Sequence, residues 1–326
     1  MIDLSICILN WNTKDLTIKC IESIKYNTKK INYEIILVDN GSNDGLYDFV
    51  KYKYPEIILL RNSENLGFSK GNNQALKIFR GRYALLLNSD TEIKDKCLDL
   101  MVEYLDNDKD VGIGFCKMYY PDGSLYLNMH NEFPNWRNVL AERSIITELF
   151  FKSKLHNFFY RKYYVIDSKK YEEDNDSCAW GLGAFLMIRR KLLEKIGFID
   201  ENFFSFFEEI DYCKRCIEAG WKVKYYHRPV VIHYTAKSLV QEYPKMTQVW
   251  HHSRFYFFSK HYGIFSMLFL KFITASGILV RFYKIKKQLE KCSSSEERKK
   301  LQDLFESYKK IFKMSILFPK YKINYY

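Results

Sequence analysis

The sequence predicts an α/β protein on a mostly parallel central sheet flanked by helices, followed by a C-terminal helical extension. Three observations predict it. Short unbroken apolar runs alternate with amphipathic stretches over the first 120 residues, and such runs read as strands buried on both faces. Small polar residues stop each run, as they do at the ligand-binding edge of an open parallel sheet. The charge is also uneven. Of a net +12, residues 1–240 hold 34 Lys+Arg against 33 Asp+Glu, whereas the stretch from Gln241 onward holds 17 against 6.

The elements follow in order. Leu4 to Leu9 is a first buried strand, ended by Asn10-Trp11-Asn12, and Lys14 to Tyr26 is an amphipathic helix with Leu16, Ile21 and Ile24 inward. Tyr33 to Val38 is a second strand, stopped by the loop residues Asp39-Asn-Gly-Ser-Asn-Asp-Gly45. A helix over 46–52, a strand over 57–60, the polar loop 61–67 and a helix over 69–79 lead to the strand Tyr83 to Leu87. The order βαβαβαβ implies right-handed crossovers in a parallel sheet. A helix over 94–107 and a strand over 111–118 complete a nucleotide-binding half, 1–120. The pattern then blurs, and 121–178 reads as a variable insertion with an acidic loop at 171–176. Order returns in a catalytic half, 179–240: a strand over 180–188, helices over 189–196 and 208–219, and short strands over 221–226 and 230–233. Residues 1–240 form one domain and 241–326 the basic helical region.

With 47% hydrophobic residues and only 14 Gly and 6 Pro, the chain has ample core material and no low-complexity character. Asp3 and the short first apolar run speak against a signal peptide. The eight cysteines then read as free thiols in a reducing cytoplasm. Cys213-Lys-Arg-Cys216 has metal-like spacing, but with no second Cys/His pair at finger distance both read as helix positions.

Asn10, Asp39, Asn65 and Asp90 all follow strand ends, which lie along one edge of a parallel sheet. The chain has neither a GxGxxG nor a GxxxxGK[ST] loop. Phosphate held through a metal fits better, because Asn88 and Asp90 can both bring oxygen ligands to Mg²⁺ or Mn²⁺. The plainer alternative makes Asp90 or Thr91 the N-cap of the next helix. Glu208 and Asp211 share a helix face, with Glu209 about a third of the way round. Acids at a helix start also suit the macrodipole.

Four blocks carry a family resemblance: Ile8-Leu-Asn-Trp-Asn12; Leu37-Val-Asp-Asn-Gly-Ser42; Glu64 to Asn73 with Leu85 to Thr91; and Gly183 to Arg189 through Phe207-Glu-Glu-Ile-Asp-Tyr-Cys213 to Ala219-Gly-Trp221 and His233. In order and spacing they resemble glycosyltransferase family 2, in its rhamnosyltransferase-like, non-processive branch. The resemblance implies a GT-A fold and an inverting transfer of one sugar in cell-surface polysaccharide biosynthesis. The donor would be a dTDP- or UDP-sugar, rhamnose or another hexose. It places Asn10 and Trp11 at the nucleoside, with Trp11 against the base and Asp39 or Asn40 bonding the base edge. Asn65 would approach the diphosphate and Lys70 would offset its charge. Asn88-Ser-Asp90 stands where the family has its Asp-x-Asp motif. Asp90 would be the principal ligand of a Mg or Mn ion and His233 would complete its shell. Glu208-Glu209 matches a Glu-Asp pair whose second acid is the general base. Glu209 therefore departs from the usual Asp and reaches one carbon further. That departure keeps a second reading alive, a catalytically silent nucleotide-sugar-binding scaffold.

In the tail, 250–262 is aromatic and basic, while 263–283 is apolar but carries Lys271 and Arg281. Those charges favour a helix lying in a membrane surface over one that spans it, with Lys284, Lys286 and Lys287 at anionic headgroups. Ser293 or Ser294 with Glu296 or Glu297 opens a last helix through a capping box. Its apolar stripe runs through Leu301, Leu304, Phe305, Tyr308, Ile311 and Phe312. The alternative partner for these helices is the catalytic domain or a second copy in a homodimer. A peripheral position on the inner face of the cell membrane would suit a glycan or polyprenyl-linked acceptor. The aromatic spacing does not match nucleic-acid readers, so no nucleic acid is expected.

Overall fold

The computed structural model describes residues 1–136, 139, 168–235 and 243–317. The chain divides into two compact units, Met1–Phe133 with Ile166–Gln241, and Pro134–Val165 with Glu242–Tyr326. The boundary expected at 240 lies outside the described residues. The stretch 121–178, expected as one insertion, is shared between the units, and most of it lies outside the described residues.

The first unit opens with β1 (Leu4–Asn10), α1 (Lys14–Asn27), β2 (Tyr33–Asp39), α2 (Leu46–Lys53), β3 (Ile58–Arg61), α3 (Phe68–Leu76) and β4 (Tyr83–Asn88). It continues through β5 (Thr91–Ile93), α4 (Cys97–Asn107), β6 (Val111–Tyr119), β7 (Met129–His130), β8 (Trp180–Gly181) and β9 (Phe185–Arg189). It ends with α5 (Arg190–Ile196), α6 (Glu208–Glu218) and β10 (Lys222–His233). Eight strands form one sheet in the order β3-β2-β1-β4-β9-β6-β10-β5, and β7 and β8 pair separately. The first four run parallel, with Asn10 opposite Asp39, Leu9 opposite Asn88 and Asp39 opposite Arg61. That register brings the polar strand-end residues onto one edge.

The unbroken apolar runs are explained by helices on both faces. Leu4, Ile6 and Ile8 pack with Ile21, Ile24, Met101 and Leu105. The alternate side chains Cys7, Ile36, Val38 and Leu86 pack with Leu76, Leu192 and Tyr212. Arg189 of β9 donates to the carbonyls of Val111, Leu105 and Asp108 and ties down the turn between α4 and β6. The acidic stretch after Tyr171 is held by two lysines and a histidine. Lys117 reaches Glu172 at 2.7 Å, Lys224 reaches Asp176 at 2.9 Å, and His227 pairs with Asp174 at 2.7 Å.

Several expectations need correction. The strand expected over 180–188 is two, β8 and β9, and β9 runs antiparallel to both β4 and β6. Thr91 opens a strand antiparallel to β10, and α4 starts only at Cys97, so neither Asp90 nor Thr91 caps that helix. The two strands expected over 221–226 and 230–233 are one strand with an irregularity between Tyr226 and Val230, where Pro229 offers no N–H. Helix α3 ends at Leu76 rather than Phe79.

The second unit contains α7 (Tyr243–Lys291) and α8 (Ser295–Ile316). Gly263 breaks α7 with φ 84° and ψ 168°. Ser294 is the N-cap of α8 and its hydroxyl accepts from the Glu297 amide, so the capping residue is the second of the two serines considered. The two helices pack together: Phe282 meets Phe305 and Phe312, Arg281 donates to the Tyr308 hydroxyl at 2.8 Å, and Ile278, Ile285, Ile311 and Met314 are buried. Lys271 is turned inward, only 6% exposed, and donates to the Leu317 carbonyl at 2.8 Å. Burial pulls its ammonium below the usual range.

All eight cysteines are free; seven are buried, and Cys292 lies in the turn between α7 and α8. Burial drives the thiols of Cys20, Cys178 and Cys216 up to about 12. Cys213 and Cys216 are interior positions of α6, as the sequence implies.

One carboxylate closes the turn before β2. Asp99 is 5% exposed and accepts from the amides of Lys29, Lys30 and Ile31 at 3.0, 3.0 and 3.3 Å. Three charge-assisted bonds of this kind outweigh one ordinary hydrogen bond. Asp99→Ala should lower stability by roughly 2 kcal/mol, read as a lower urea midpoint at unchanged slope. An unchanged midpoint would show that the amides find water at no cost.

Candidate active site

Asn10 is completely buried at the end of β1. Its Oδ1 accepts from the Thr13 hydroxyl at 2.7 Å, the Thr17 hydroxyl at 2.8 Å and the Thr13 amide at 3.3 Å. Its Nδ2 donates to Ser42 Oγ at 3.0 Å. The Thr13 hydroxyl also meets Ser89 Oγ at 2.8 Å. One amide thus joins the end of β1, the start of α1, the loop after β2 and the turn after β4. Asn10 therefore shapes the edge from inside, with its side-chain polar atoms already engaged. Trp11 beside it is half-buried.

Asp39 is also completely buried. Its Oδ1 accepts from the Ser42 amide at 3.2 Å, but its Oδ2 has no hydrogen-bond partner. Arg61 Nε stands 3.9 Å from that oxygen, too far for a hydrogen bond, and its side chain is half exposed. An unmet acceptor in the interior is costly, and the nearby Arg61 charge offsets part of that cost. Asn40 is instead satisfied. It donates to Asn65 Oδ1 at 2.8 Å and accepts from Asn62 Nδ2 and the Leu66 amide, both at 3.0 Å. It holds the loop after β3 in place. Asn65 also accepts the Gly67 amide at 2.9 Å. Two glycines permit this loop packing. Gly41, at φ +79°, would bring a Cβ to 2.6 Å from the Glu64 backbone, and Gly67, at φ +84°, to 2.5 Å from the Phe204 carbonyl. Lys70 is exposed near the start of α3.

After β4 the Asn88 amide donates to the Ala184 carbonyl and its carbonyl accepts the Thr91 hydroxyl at 2.7 Å. Asp90 is 8% exposed and its Oδ1 lies 3.2 Å from His233 Nε2. The two residues expected as metal ligands are therefore brought together from opposite ends of the unit. His233 is 6% exposed, its Nδ1 has no partner, and Tyr126 lies against its ring. The Tyr234 amide donates to the Asp90 carbonyl and the Tyr234 hydroxyl to Glu92 at 2.6 Å, which fixes the end of β10. No group of three His, Cys, Asp or Glu capable of holding a metal occurs among the described residues. Two protein donors nevertheless fit Mg²⁺ or Mn²⁺, which take one or two side chains and complete their shells with phosphate and water.

Glu208 and Glu209 open α6. They are 4% and 8% exposed, and each has an Oε2 without a partner. Burial lifts the Glu209 carboxyl from 4.5 to about 7. Burial first, and the neighbouring Glu209 second, hold the Glu208 carboxyl well above the usual range. Asp211, by contrast, is paired with Arg215 at 2.8 Å. Phe206 and Phe207, just before the helix, have φ of 68° and 69°. Left-handed backbone at two consecutive phenylalanines costs about 1–3 kcal/mol each. Gly183 lies beside the Glu209 side chain, since a methyl added there would meet its Cβ at 3.5 Å.

Sequence reasoning missed Thr13, Ser42 and Ser89, which bond Asn10 and its neighbours, and Gly183 beside Glu209. A small hydroxyl residue three positions after a strand-end Asn is the available signal for Thr13.

The glycosyl transferase family 2 model matches residues 5–197. An uncharacterised glycosyltransferase of Methanocaldococcus jannaschii is 30% identical over 175 residues, which are 52% of this chain and 59% of that protein. The N-acetylglucosaminyl-diphospho-decaprenol L-rhamnosyltransferase of Mycobacterium tuberculosis is 23% identical over 242 residues, 70% of this chain and 76% of that one. Among solved structures, the mannosyltransferase PcManGT of Pyrobaculum calidifontis, in complex with GDP-Man and Mn2+, aligns over 96% of this chain and 83% of its own, with a TM-score of 0.53 and 14% identity. That likeness speaks for the GT-A fold. The family match begins in β1 and runs through β9 to Gly197, more than half of the sequence, and the chain belongs to glycosyl transferase family 2.

Proposed function

We propose that the chain transfers one sugar, with inversion, from a dTDP- or UDP-sugar to a glycan or lipid-linked acceptor. The observation that carries this reading is Glu209, a buried carboxyl with an unmet oxygen and a proton affinity near neutrality. Such a group is suited to taking a proton from a hydroxyl. The unmet Oδ2 of Asp39 supports the donor class, because uracil and thymine both present a ring N–H to it. Trp11 lies against the base, while Asn40 and Asn65 hold the loop that receives the diphosphate. Lys70 offsets charge at the phosphates.

Asp90 and His233 would hold a Mg²⁺ or Mn²⁺ ion, with Asn88 forming the turn beside them; when bound, that ion supplies positive charge at the diphosphate. Glu209 takes the acceptor proton as the hydroxyl oxygen attacks the anomeric carbon. The bond from that carbon to the diphosphate oxygen breaks on the opposite side. A single displacement needs one base, so Glu208 serves by keeping the pocket polar. Residues 1–240 constitute the catalytic region. The printed name of the M. tuberculosis relative, with its diphospho-decaprenol acceptor, supports a lipid-linked acceptor here and a place at a membrane surface.

Three outcomes test this. EDTA and Asp90→Ala should each lower donor turnover by about 100-fold or more, in line with loss of charge stabilisation; full activity in EDTA would remove the metal from the reading. Glu209→Gln should lower kcat by roughly 10²–10⁴ with donor affinity kept. The wild-type rate should rise with pH up to about 7 and level above it, since the base must be deprotonated. Donor binding without turnover by wild type on any acceptor would instead support a silent scaffold. Stability should move the other way. A carboxyl with a raised folded pKa binds its proton more tightly folded than unfolded, so stability falls as pH rises from 4.5 toward 7. Glu209→Gln should therefore raise the melting temperature at pH 8 and change it little at pH 5.

A further inference from the structure

The second unit carries an apolar ridge that its own packing leaves largely open, with Phe269 half-covered by the Trp136 ring. Phe265, Phe269, Phe272, Leu279 and Tyr283 are 83%, 49%, 69%, 55% and 65% exposed. Their spacing of four, three, seven and four puts them on one side of α7 beyond Gly263. The ridge extends about 27 Å at 1.5 Å per residue. Lys286 and Lys287, both exposed, continue the same side one turn further on. Lys287 already stands 5.5 Å from the Tyr283 ring. The other side of α7 is occupied by α8.

We infer that this ridge inserts, parallel to the surface, into the interfacial layer of an anionic lipid bilayer. It deepens the membrane-surface location offered above and rests on it. Length and composition alone would also allow the helix to cross a membrane. Its packing against α8 argues otherwise. The outer side of α8 exposes Lys299, Asp303, Glu306, Lys310 and Lys313, and a pair carrying those charges does not enter hydrocarbon. The lysine that would have interrupted the apolar surface, Lys271, is turned inward onto the Leu317 carbonyl. The surface left outward is apolar along its length and basic at its end, the pattern of an in-plane helix. A net charge of +11 from Gln241 onward complements anionic headgroups.

The test is flotation of the full chain with vesicles of pure phosphatidylcholine and of phosphatidylcholine with 30% phosphatidylglycerol (about 30 mol%, enough for a strong surface charge). Binding to the anionic vesicles should exceed binding to the neutral ones at least tenfold and weaken in high salt. F265S/F272S should lose at least tenfold of it, and K286E/K287E should lose the preference for anionic vesicles. Equal binding to both vesicles, or none, overturns the proposal. So does a wild-type dimer that F265S/F272S converts to monomer, which would assign the ridge to a second copy. Membrane protein that resists alkaline extraction would make the helix a span. Donor hydrolysis is measured on the same samples: if it is absent while flotation succeeds, only the transfer reading fails. If hydrolysis persists in F265S/F272S while flotation is lost, both stand.

Discussion

The sheet edge depends on one buried amide. Asn10 has no freedom left: its oxygen takes two hydroxyls and one amide, and its nitrogen gives to Ser42. Through Thr13 the set reaches Ser89, between Asn88 and Asp90. Through Ser42 it reaches the Asp39 carboxylate. The loop after β2 and the turn after β4 are therefore set by one rigid cluster. A buried polar cluster that is fully satisfied fixes geometry more firmly than apolar packing does. Asn40 repeats the device one strand further out, between Asn62, Asn65 and Leu66.

The fold was legible where burial on both faces wrote a continuous apolar run, as in Leu4 to Leu9 and Tyr83 to Leu87. It was not legible where direction mattered. Phe185 to Ile188 reads the same in either orientation, and only its partners β4 and β6 make it antiparallel. Thr91–Ile93 is too short to announce itself, and Pro229 made one strand look like two. At the site, acids and amides at strand ends were visible because four of them fall along one edge of a parallel sheet. Their supports were not. Thr13, Ser42 and Ser89 are common residues whose meaning depends on register. Nothing local marks Phe206 and Phe207 as left-handed, since a phenylalanine ordinarily avoids that region.

The start of α6 sets function against stability. Two carboxyls, each with one unmet oxygen, and two strained residues lie within four consecutive positions. Each feature is unfavourable by itself, and the strongly buried surroundings hold them together. The same surroundings raise the proton affinity of the Glu209 carboxyl. Glutamate at 209 reaches one carbon further than an aspartate would, and a methyl added at Gly183 would meet that side chain at ordinary contact distance.

The cysteine distribution makes the protein its own folding reporter. Seven thiols are sealed in the interior, and only Cys292 lies partly open, in the turn joining α7 to α8. A thiol reagent added to native protein meets one accessible group, and it gains the other seven only through opening of the core. A dye placed at Cys292 would sit on the C-terminal unit alone. The rate at which the remaining thiols become reactive would time the opening of the first unit, without any residue being engineered.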